Sequence, residues 1–335
     1  MVLPLSASGL PFGAASLSVT AGANVGKVTT IVHGSLFSPD TDFSLVPGAG
    51  APIAAAATTF IDPATAWATF DLTGRTPGSY GLQVDDGASS ATLADAFQVN
   101  TGSAGHFTYS FDAPRFVRPP FRGVFVTLNY ANTGGTDIVA PLLTVSTDNG
   151  LFRVPGSSDF IFDAVEVLAI NDEGPAGVLP PGARSQIQIA FKPETIGPHF
   201  VSDLLAQISG PPDNVIGWEF LKAALQPETV SDTAWDTIFA NFTAQVGSTV
   251  AGYNAVLADN ATYLSRFGDY TPDTGRLLSF ELQQADNFGE ISARGHLDSF
   301  GRGRIAPFSI HAITVAGGDV LVAQGAEVRV FEMLV

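Results

Sequence analysis

The sequence predicts a mainly β chain that also contains a small α-helical block and a short β tail. Glycine (35 residues) and proline (22 residues) are frequent, and both mark turns between short elements. In several short segments, hydrophobic residues alternate with small or polar ones, which is the period of a half-buried strand. Near residue 213 the hydrophobic period changes to that of a helix. The 335 residues are 45% hydrophobic and 14% charged, a composition too apolar for a disordered chain.

The first segment, residues 1–103, has the hydrophobic pattern of a β-sandwich. Tyr80, Leu82 and Val84 occupy alternate positions, as in a strand with one buried face. The run Asp-Asp-Gly at 85–87 then predicts a hairpin turn, because Asp and Gly accept the positive φ of tight turns. We therefore expect short paired strands through this segment.

The second segment, residues 104–212, repeats these features. Leu128 and Tyr130 lie at alternate positions of a strand, and the Pro-Gly pair at 181–182 matches the Pro-Gly pair at 77–78. Short strands with turn signals about every 8–12 residues are typical of immunoglobulin-like sandwiches. Because the chain has no cysteine, it lacks the Cys…Trp…Cys pattern of true immunoglobulin domains. The sequence thus predicts two tandem immunoglobulin-like β-sandwiches.

The third segment, residues 213–290, has helical periodicity. One helix is predicted from five hydrophobic residues on a single face: Trp235, Ile238, Phe239, Phe242 and Val246. Ser231 or Asp232 is expected to cap it by accepting a backbone N–H. A short helix is predicted over 214–225. Two later helices are predicted from Tyr253, Val256, Leu257, Leu264 and Phe267, ending at Gly268, and from Leu278, Leu282, Ala285 and Phe288, ending near Gly289.

The fourth segment, residues 291–335, returns to β periodicity. Residues 312–315 and 320–322 flank Gly317-Gly318-Asp319, which predicts a hairpin, and residues 328–331 predict one more strand. Because the sequence ends directly after a predicted strand, we expect a piece of a larger protein. The first residues lack the positively charged region and the apolar core of a signal peptide. No apolar run reaches the ~18–20 residues that a membrane span needs.

Several runs carry a resemblance to known families. Ala68-Thr69-Phe70-Asp71-Leu72-Thr73-Gly74, Pro77-Gly78-Ser79-Tyr80 and Asp95-Ala96-Phe97-Gln98-Val99 resemble the end of an IPT/TIG-type immunoglobulin-like repeat. Asn129-Tyr130-Ala131-Asn132-Thr133-Gly134 and Leu179-Pro180-Pro181-Gly182-Ala183 resemble a CARDB-like adhesion module. Phe280-Glu281-Leu282-Gln283-Gln284-Ala285 and Phe300-Gly301-Arg302-Gly303 resemble the region before the repeats of bacterial RHS/YD-repeat proteins, although Arg304 replaces the expected aromatic residue and no YD repeat follows. The resemblance implies a non-catalytic spacer in a large secreted bacterial protein.

The charge of the chain excludes several classes of partner. The formal net charge is −17, which argues against a nucleic-acid binder and against docking on anionic lipid. Residues 213–290 hold 3 basic and 11 acidic residues, so nearly half of this charge is expected on the helical block. We hypothesise that Arg294, Arg302 and Arg304 meet that block. The absence of cysteine excludes disulfides, thiolate metal sites and a cysteine nucleophile.

No residue pattern assigns a catalytic, cofactor-binding or metal-binding site. The five histidines (33, 106, 199, 296 and 311) lack metal-ligand spacing, and the chain has no Gly-x-Ser-x-Gly elbow of a serine hydrolase. Gly301-Arg302-Gly303-Arg304 is followed by a proline and a predicted strand, whereas a dinucleotide site needs a helix there. The run Arg118-Pro119-Pro120-Phe121-Arg122 cannot form a central strand. The alternatives are an edge strand, an adhesive surface or a loop packed on the first domain, and we expect the packed loop.

Loop and helix carboxylates are the remaining candidates for chemistry. Asp40, Asp42 and the run Asn171-Asp172-Glu173-Gly174 are oxygen-rich but lack the full ligand series of a calcium loop, so we expect solvated turns. The helical carboxylates are expected to form a solvated acidic face: Glu219, Asp236, Asp259, Asp273 and Glu281. We therefore predict no enzyme activity and no cofactor.

These features predict a non-catalytic structural or adhesion stalk segment of a secreted or surface-attached bacterial protein, located outside the cell or at its surface. Its expected partners are other protein modules, with no nucleic acid and no transmembrane segment. One alternative is a self-assembling filament or shell subunit, in which residues 17–20 or 328–331 complete a neighbour's sheet. The other is a glycan-binding module, which needs an aromatic platform, although Trp67, Trp218 and Trp235 lie in patterns of buried residues.

Overall fold

The structure is a computed structural model that describes residues 11–114, 123–147, 150–153, 160, 163–193, 205–208, 213–226, 230–286, 310–316, 319–324 and 327–332. Strands are the commonest element among the described residues, four helices follow the first sheets, and three strands form the tail. The predicted fold class is therefore confirmed.

The chain divides into two compact units. Unit 1 contains the described residues of Met1–Thr108, Ala131–Ile138 and Glu173–Arg184. Unit 2 contains those of Tyr109–Tyr130, Val139–Asp172 and Ser185–Val335. Three short pieces of the predicted second segment, residues 104–108, 131–138 and 173–184, thus belong to the same unit as the first segment. The segment boundaries at 103, 212 and 290 stay predictions.

Unit 1 contains eight strands along its longest piece. They are β1 (Gly13–Leu17), β2 (Ala21–Ala23), β3 (Lys27–Ser35), β4 (Asp42–Pro47), β5 (Ile53–Asp62), β6 (Thr65–Asp71), β7 (Gly78–Asp85) and β8 (Ser90–Asn100). Their order in the sheet is β1-β3-β6-β5-β4-β7-β8-β2, and β5 pairs with both β6 and β4. β1 runs antiparallel to β3, whereas β2 runs parallel to β8. β5 thus joins the strands on either side of it into one eight-stranded sheet.

The core of unit 1 follows from the period-two pattern of its strands. In β7 the side chains of Tyr80, Leu82 and Val84 are buried, as predicted. They join one hydrophobic cluster with residues from the other strands, including Val28, Phe43, Phe70, Leu72, Phe97 and Val99. The Tyr80 hydroxyl donates to the Thr76 carbonyl (2.8 Å), which is the tyrosine corner found at this position of immunoglobulin-like sandwiches.

Two glycines show why the predicted turns and close contacts need that residue. Gly182 has φ +80°, and the Ala183 N–H donates to the Pro180 carbonyl (3.0 Å), so the predicted Pro-Gly turn is present. A Cβ at Gly34 would lie 2.3 Å from the Gly13 carbonyl oxygen, so a larger residue would push β1 and β3 apart.

The strands that follow lie mainly in unit 2, except that their residues within 107–108, 131–138 and 173–184 belong to unit 1. They are β9 (Phe107–Asp112), β10 (Val124–Asn132), β11 (Ile138–Val139), β12 (Leu142–Ser146), β13 (Gly150–Arg153), β14 (Ala164–Leu168), β15 (Val178–Leu179), β16 (Arg184–Pro193) and β17 (Leu205–Ile208). They form a four-stranded sheet (β13-β16-β10-β9), a three-stranded sheet (β14-β12-β17) and a two-stranded ribbon (β11-β15). The predicted alternation in β10 is confirmed, since Val126, Leu128 and Tyr130 are buried while Phe125 is 59% exposed.

Four helices follow in unit 2: α1 (Trp218–Leu225), α2 (Asp232–Val246), α3 (Val250–Ser265) and α4 (Thr274–Ala285). The whole predicted face of α2 is buried. Ser231 is its N-cap, and the serine side chain accepts from the Ala234 N–H (3.4 Å). The prediction for the following helix is wrong at Phe267, because α3 ends at Ser265 and the Phe267 side chain is 65% exposed. Phe288 and Gly289 lie outside the described residues.

The tail forms the predicted hairpin and one further strand. β18 (Ile310–Ala316), β19 (Asp319–Gln324) and β20 (Glu327–Glu332) make a three-stranded antiparallel sheet. Its register pairs Ala316 with Asp319 at the turn.

Candidate functional site

One carboxylate of unit 1, Asp137 in the piece Ala131–Ile138, bonds to a residue that lies 108 positions earlier in the chain. Its two oxygens accept from the backbone N–H of Thr29 (2.9 Å) and from the Thr29 hydroxyl (2.7 Å), and Thr29 lies in β3. The Asp137 N–H in turn donates to the Lys27 carbonyl (2.8 Å). Burial raises the pKa of Asp137 to about 6, against the opposing effects of the Thr29 hydrogen bonds and the Lys27 charge. Both oxygens are thus used to fasten this piece of chain to β3.

Asn132 fastens the same piece through its amide. The side chain is fully buried, and its NH₂ group donates to the carbonyls of Thr136 and Leu179 (both 2.8 Å). Its oxygen accepts from the N–H groups of His106 (3.1 Å) and Gly134 (3.0 Å). These four bonds saturate an asparagine side chain. We name Thr29, Asn132 and Asp137 the unit 1 staple.

A second group of ionisable side chains lies in unit 2, where β14, α3 and α4 meet. Glu166 (β14) and Tyr253 (α3) are 4% and 1% exposed, and Asp273 is the N-cap of α4. Burial raises the pKa of Tyr253, and the charges of Glu166 and Asp273 raise it further. Burial also raises the pKa of Asp273 to about 6, although its cap hydrogen bonds and the Arg276 charge oppose this. No spacing in the sequence predicts that these three residues meet.

The expectation of a solvated acidic face is wrong for Glu281. Its side chain is only 6% exposed, and Oε2 accepts from the Asn260 amide (2.8 Å). Burial raises the pKa of Glu281 above its ordinary value. Asp236 does lie at the surface, where it pairs with Lys222 (2.8 Å). Glu219 and Asp259 are also exposed.

Aromatic side chains gather on the surface of unit 2 at the end of α3. Tyr263 and Phe267 are 47% and 65% exposed, and their ring centroids are 5.3 Å apart at 62°. The Tyr263 ring also stacks on the partly buried Phe280 ring (5.7 Å, 23°). The Arg266 guanidinium lies 5.9 Å from the Tyr263 centroid. We name Tyr263, Phe267 and Phe280 the aromatic cluster.

The remaining candidate residues of the sequence do not come together in one site among the described residues. His33 and His106 are exposed, as are Asp40 and Asp42. Asp172 accepts from the Ser185 hydroxyl (2.8 Å). The three tryptophans are buried, as their patterns predicted: Trp67, Trp218 and Trp235.

Several predictions fall on residues that the structure does not describe. These residues are His199, His296, Arg294, the run 118–122 and the run 301–304. Of the two strands proposed for self-assembly, residues 328–331 lie in β20, which pairs with β19. In the other, Leu17 ends β1, and the Thr20 carbonyl accepts from the Gln98 N–H (2.8 Å) within unit 1.

Among the described residues, no group of three or more His, Cys, Asp or Glu side chains is arranged to hold a metal ion. Within the same residues, no helix has the length and apolar character needed to cross a membrane.

Comparison with known proteins gives little support for a relationship. No family model matches the chain, and no curated protein matches it. Among solved structures, a chimeric titin Z1Z2 carrying a KLER exogenous peptide from decorin is 16% identical, with 52% of this chain and 91% of that chain covered and a TM-score of 0.19. Chitinase ChiA74 from Bacillus thuringiensis is 11% identical (58% and 28% covered, TM-score 0.16). A protein of unknown function from Porphyromonas gingivalis is 11% identical (52% and 79% covered, TM-score 0.12). Similarities this weak carry no argument about this chain.

Proposed function

We propose that this chain is a non-catalytic structural segment, a stalk or adhesion module, of a secreted or surface-attached bacterial protein. The observation that carries the proposal is the unit 1 staple. Its polar atoms bond to other parts of the same unit, whereas catalytic side chains must leave atoms available for a substrate. The family resemblance of the sequence supports the extracellular setting.

The staple supports a mechanical role because it interlocks separate pieces of chain. Ala131–Ile138 lies in the predicted second sandwich segment, yet its Asp137 is bonded to β3 of the first. Nearby, the Ala23 N–H donates to the Gly135 carbonyl (2.7 Å). A Cβ at Gly135 would lie 2.6 Å from the Ala23 Cβ, so the two backbones approach closely. A stalk benefits from such interlocking, because a free linker lets successive modules swing.

Single-molecule force spectroscopy tests the mechanical role. The chain would be stretched between two reference immunoglobulin domains, so that each trace contains internal force standards. We expect a discrete unfolding peak for unit 1, at a lower force in the Asp137→Ala variant. Extension of the chain without any resolved peak would contradict a stalk function.

The aromatic cluster favours a second candidate function, the binding of a glycan. Exposed aromatic rings that contact one another supply a stacking surface, and a contiguous exposed apolar patch can mark a ligand-binding site. A glycan array tests this candidate, followed by titration of any glycan that binds. Binding that is lost in Phe267→Ala but kept in Phe125→Ala would support it, since Phe125 is an equally exposed ring elsewhere in unit 2. An array without a bound glycan would exclude the candidate.

A further inference from the structure

Asp273 connects the start of α4 to β14 in unit 2. As the N-cap, its Oδ1 accepts from the N–H groups of Gly275 (3.0 Å) and Arg276 (3.4 Å). Asp273 also forms a backbone bridge with Val167 of β14. On either side of it, the Leu168 N–H donates to the Pro272 carbonyl (3.0 Å), and the Thr274 hydroxyl donates to the Glu166 carbonyl (3.3 Å). The cap and the junction between helix and strand are therefore one structure.

Titratable groups face this cap from the neighbouring elements. Glu166 comes from β14 and Tyr253 from α3, and both are almost fully buried. The Tyr253 hydroxyl has no hydrogen-bond partner among the described residues. On α4 itself, Arg276 pairs with Asp269 of the preceding loop. β18 also contacts α4 and β14, and its one titratable residue is His311.

We propose that Asp273 acts as an acid-operated latch, which takes up a proton as the pH falls from neutral to about 5 and then holds the start of α4 more firmly on β14. The cap geometry allows this, because both backbone N–H groups bond to Oδ1. Oδ2 can take the proton while the cap bonds remain.

The direction of the effect follows from proton linkage. Burial raises the pKa of Asp273 to about 6 in the closed structure, whereas a solvated aspartate has a pKa of about 3.9. The closed structure therefore binds the proton more tightly than the open one, and protonation favours closure. With these two pKa values, the equilibrium constant for separation of the start of α4 from β14 falls about tenfold between pH 7.5 and pH 5. The stabilisation is lost again as the pH rises through about 6.

Native-state hydrogen exchange of the full chain, read by mass spectrometry, tests the latch. Peptides that cover α4 are followed at pH 7.5 and pH 5, after correction for the pH dependence of intrinsic exchange. In the wild type, we expect the corrected exchange of these peptides to be about tenfold slower at pH 5 than at pH 7.5. Asp273→Asn and Asp273→Ser both keep an N-cap residue without a titrating charge, and each should show no change. An unchanged wild type, or the same tenfold change in the variant, would overturn the proposal.

Two further variants identify the group that takes up the proton. His311→Gln should respond like the wild type, and a lost response in this variant would assign the effect to His311 instead. A response that disappears in Glu166→Gln but persists in Asp273→Asn would assign the proton to Glu166, which also overturns the proposal. If Asp273→Asn does not fold, Asp273→Ser provides the uncharged cap, and the wild-type measurement alone still decides whether a latch exists.

Discussion

Replacing Thr29 with valine removes the hydroxyl of the unit 1 staple while keeping the size of a buried side chain. That hydroxyl donates to Asp137 Oδ2 (2.7 Å) and lies 2.8 Å from the Thr69 hydroxyl. A hydrogen bond to a charged group contributes about 1.5–3 kcal/mol, and a neutral one about 1 kcal/mol. We therefore expect Thr29→Val to lower the free energy of unfolding of unit 1 by about 2.5–4 kcal/mol at pH 7. The control Thr69→Val, which loses only the neutral bond, should cost about 1 kcal/mol.

The charge of Asp137 adds a pH dependence to the same prediction. Its folded pKa of about 6 lies above the unfolded value of about 3.9, so the folded state binds the proton more tightly. Unit 1 should then gain about 2 kcal/mol of stability as the pH falls from 7 to 4.5, because one pKa unit corresponds to about 1.36 kcal/mol. Asp137→Asn should remove this gain. The cost of Thr29→Val should also shrink at pH 4.5, where the carboxyl is neutral.

Urea unfolding with pulsed hydrogen exchange measures these values for unit 1 separately. Peptides from β3 report on unit 1, and peptides from α2 report on unit 2. The bond to Asp137 does not stabilise the unit if the free energy of unfolding of Thr29→Val lies within about 0.5 kcal/mol of the wild-type value. The same conclusion follows if Thr69→Val lowers that free energy as much as Thr29→Val does. A gain at acid pH that persists in Asp137→Asn would refute the assignment of the titration.

Two other substitutions test the fold of unit 1. Tyr80→Phe should lower the free energy of unfolding of unit 1 by about 1 kcal/mol, since it removes the hydrogen bond to the Thr76 carbonyl. Asn132→Ala should cost about 3–4 kcal/mol, because it removes the partner of four backbone groups, two of them in fully buried bonds. The exposed Asn24→Ala should cost under about 1 kcal/mol by the same urea measurement, and equal losses in the two asparagine variants would contradict the role given to Asn132.

The sequence predicted features that depend on local periodicity. The alternation of Tyr80, Leu82 and Val84 and the buried face of α2 both follow from the spacing of hydrophobic residues along a single element. The Ser231 cap is equally local, because a capping side chain bonds to a residue three positions later.

Contacts between distant parts of the chain could not be predicted in this way. The local sequence does not indicate the partner of Asp137, because Thr29 lies 108 residues earlier. Glu281 appeared solvated because a charged residue on a helix usually is, yet Asn260 of α3 bonds to it in the interior. Phe267 was assigned to a buried face because its spacing continues that of α3, but the helix ends two residues before it. In each case, the packing of another element decides the environment of the side chain.

We infer that Ala131–Ile138 and Glu173–Arg184 bind tightly to the first segment of the chain, with which they form unit 1. Cleavage at a specific protease site inserted after Thr101, followed by size-exclusion chromatography, tests it most directly. We predict that the two pieces co-elute after cleavage, and that Asp137→Ala makes them separate at lower urea concentration. Release of a free fragment of residues 1–101 in native buffer would contradict the interlocked unit and the stalk function that rests on it.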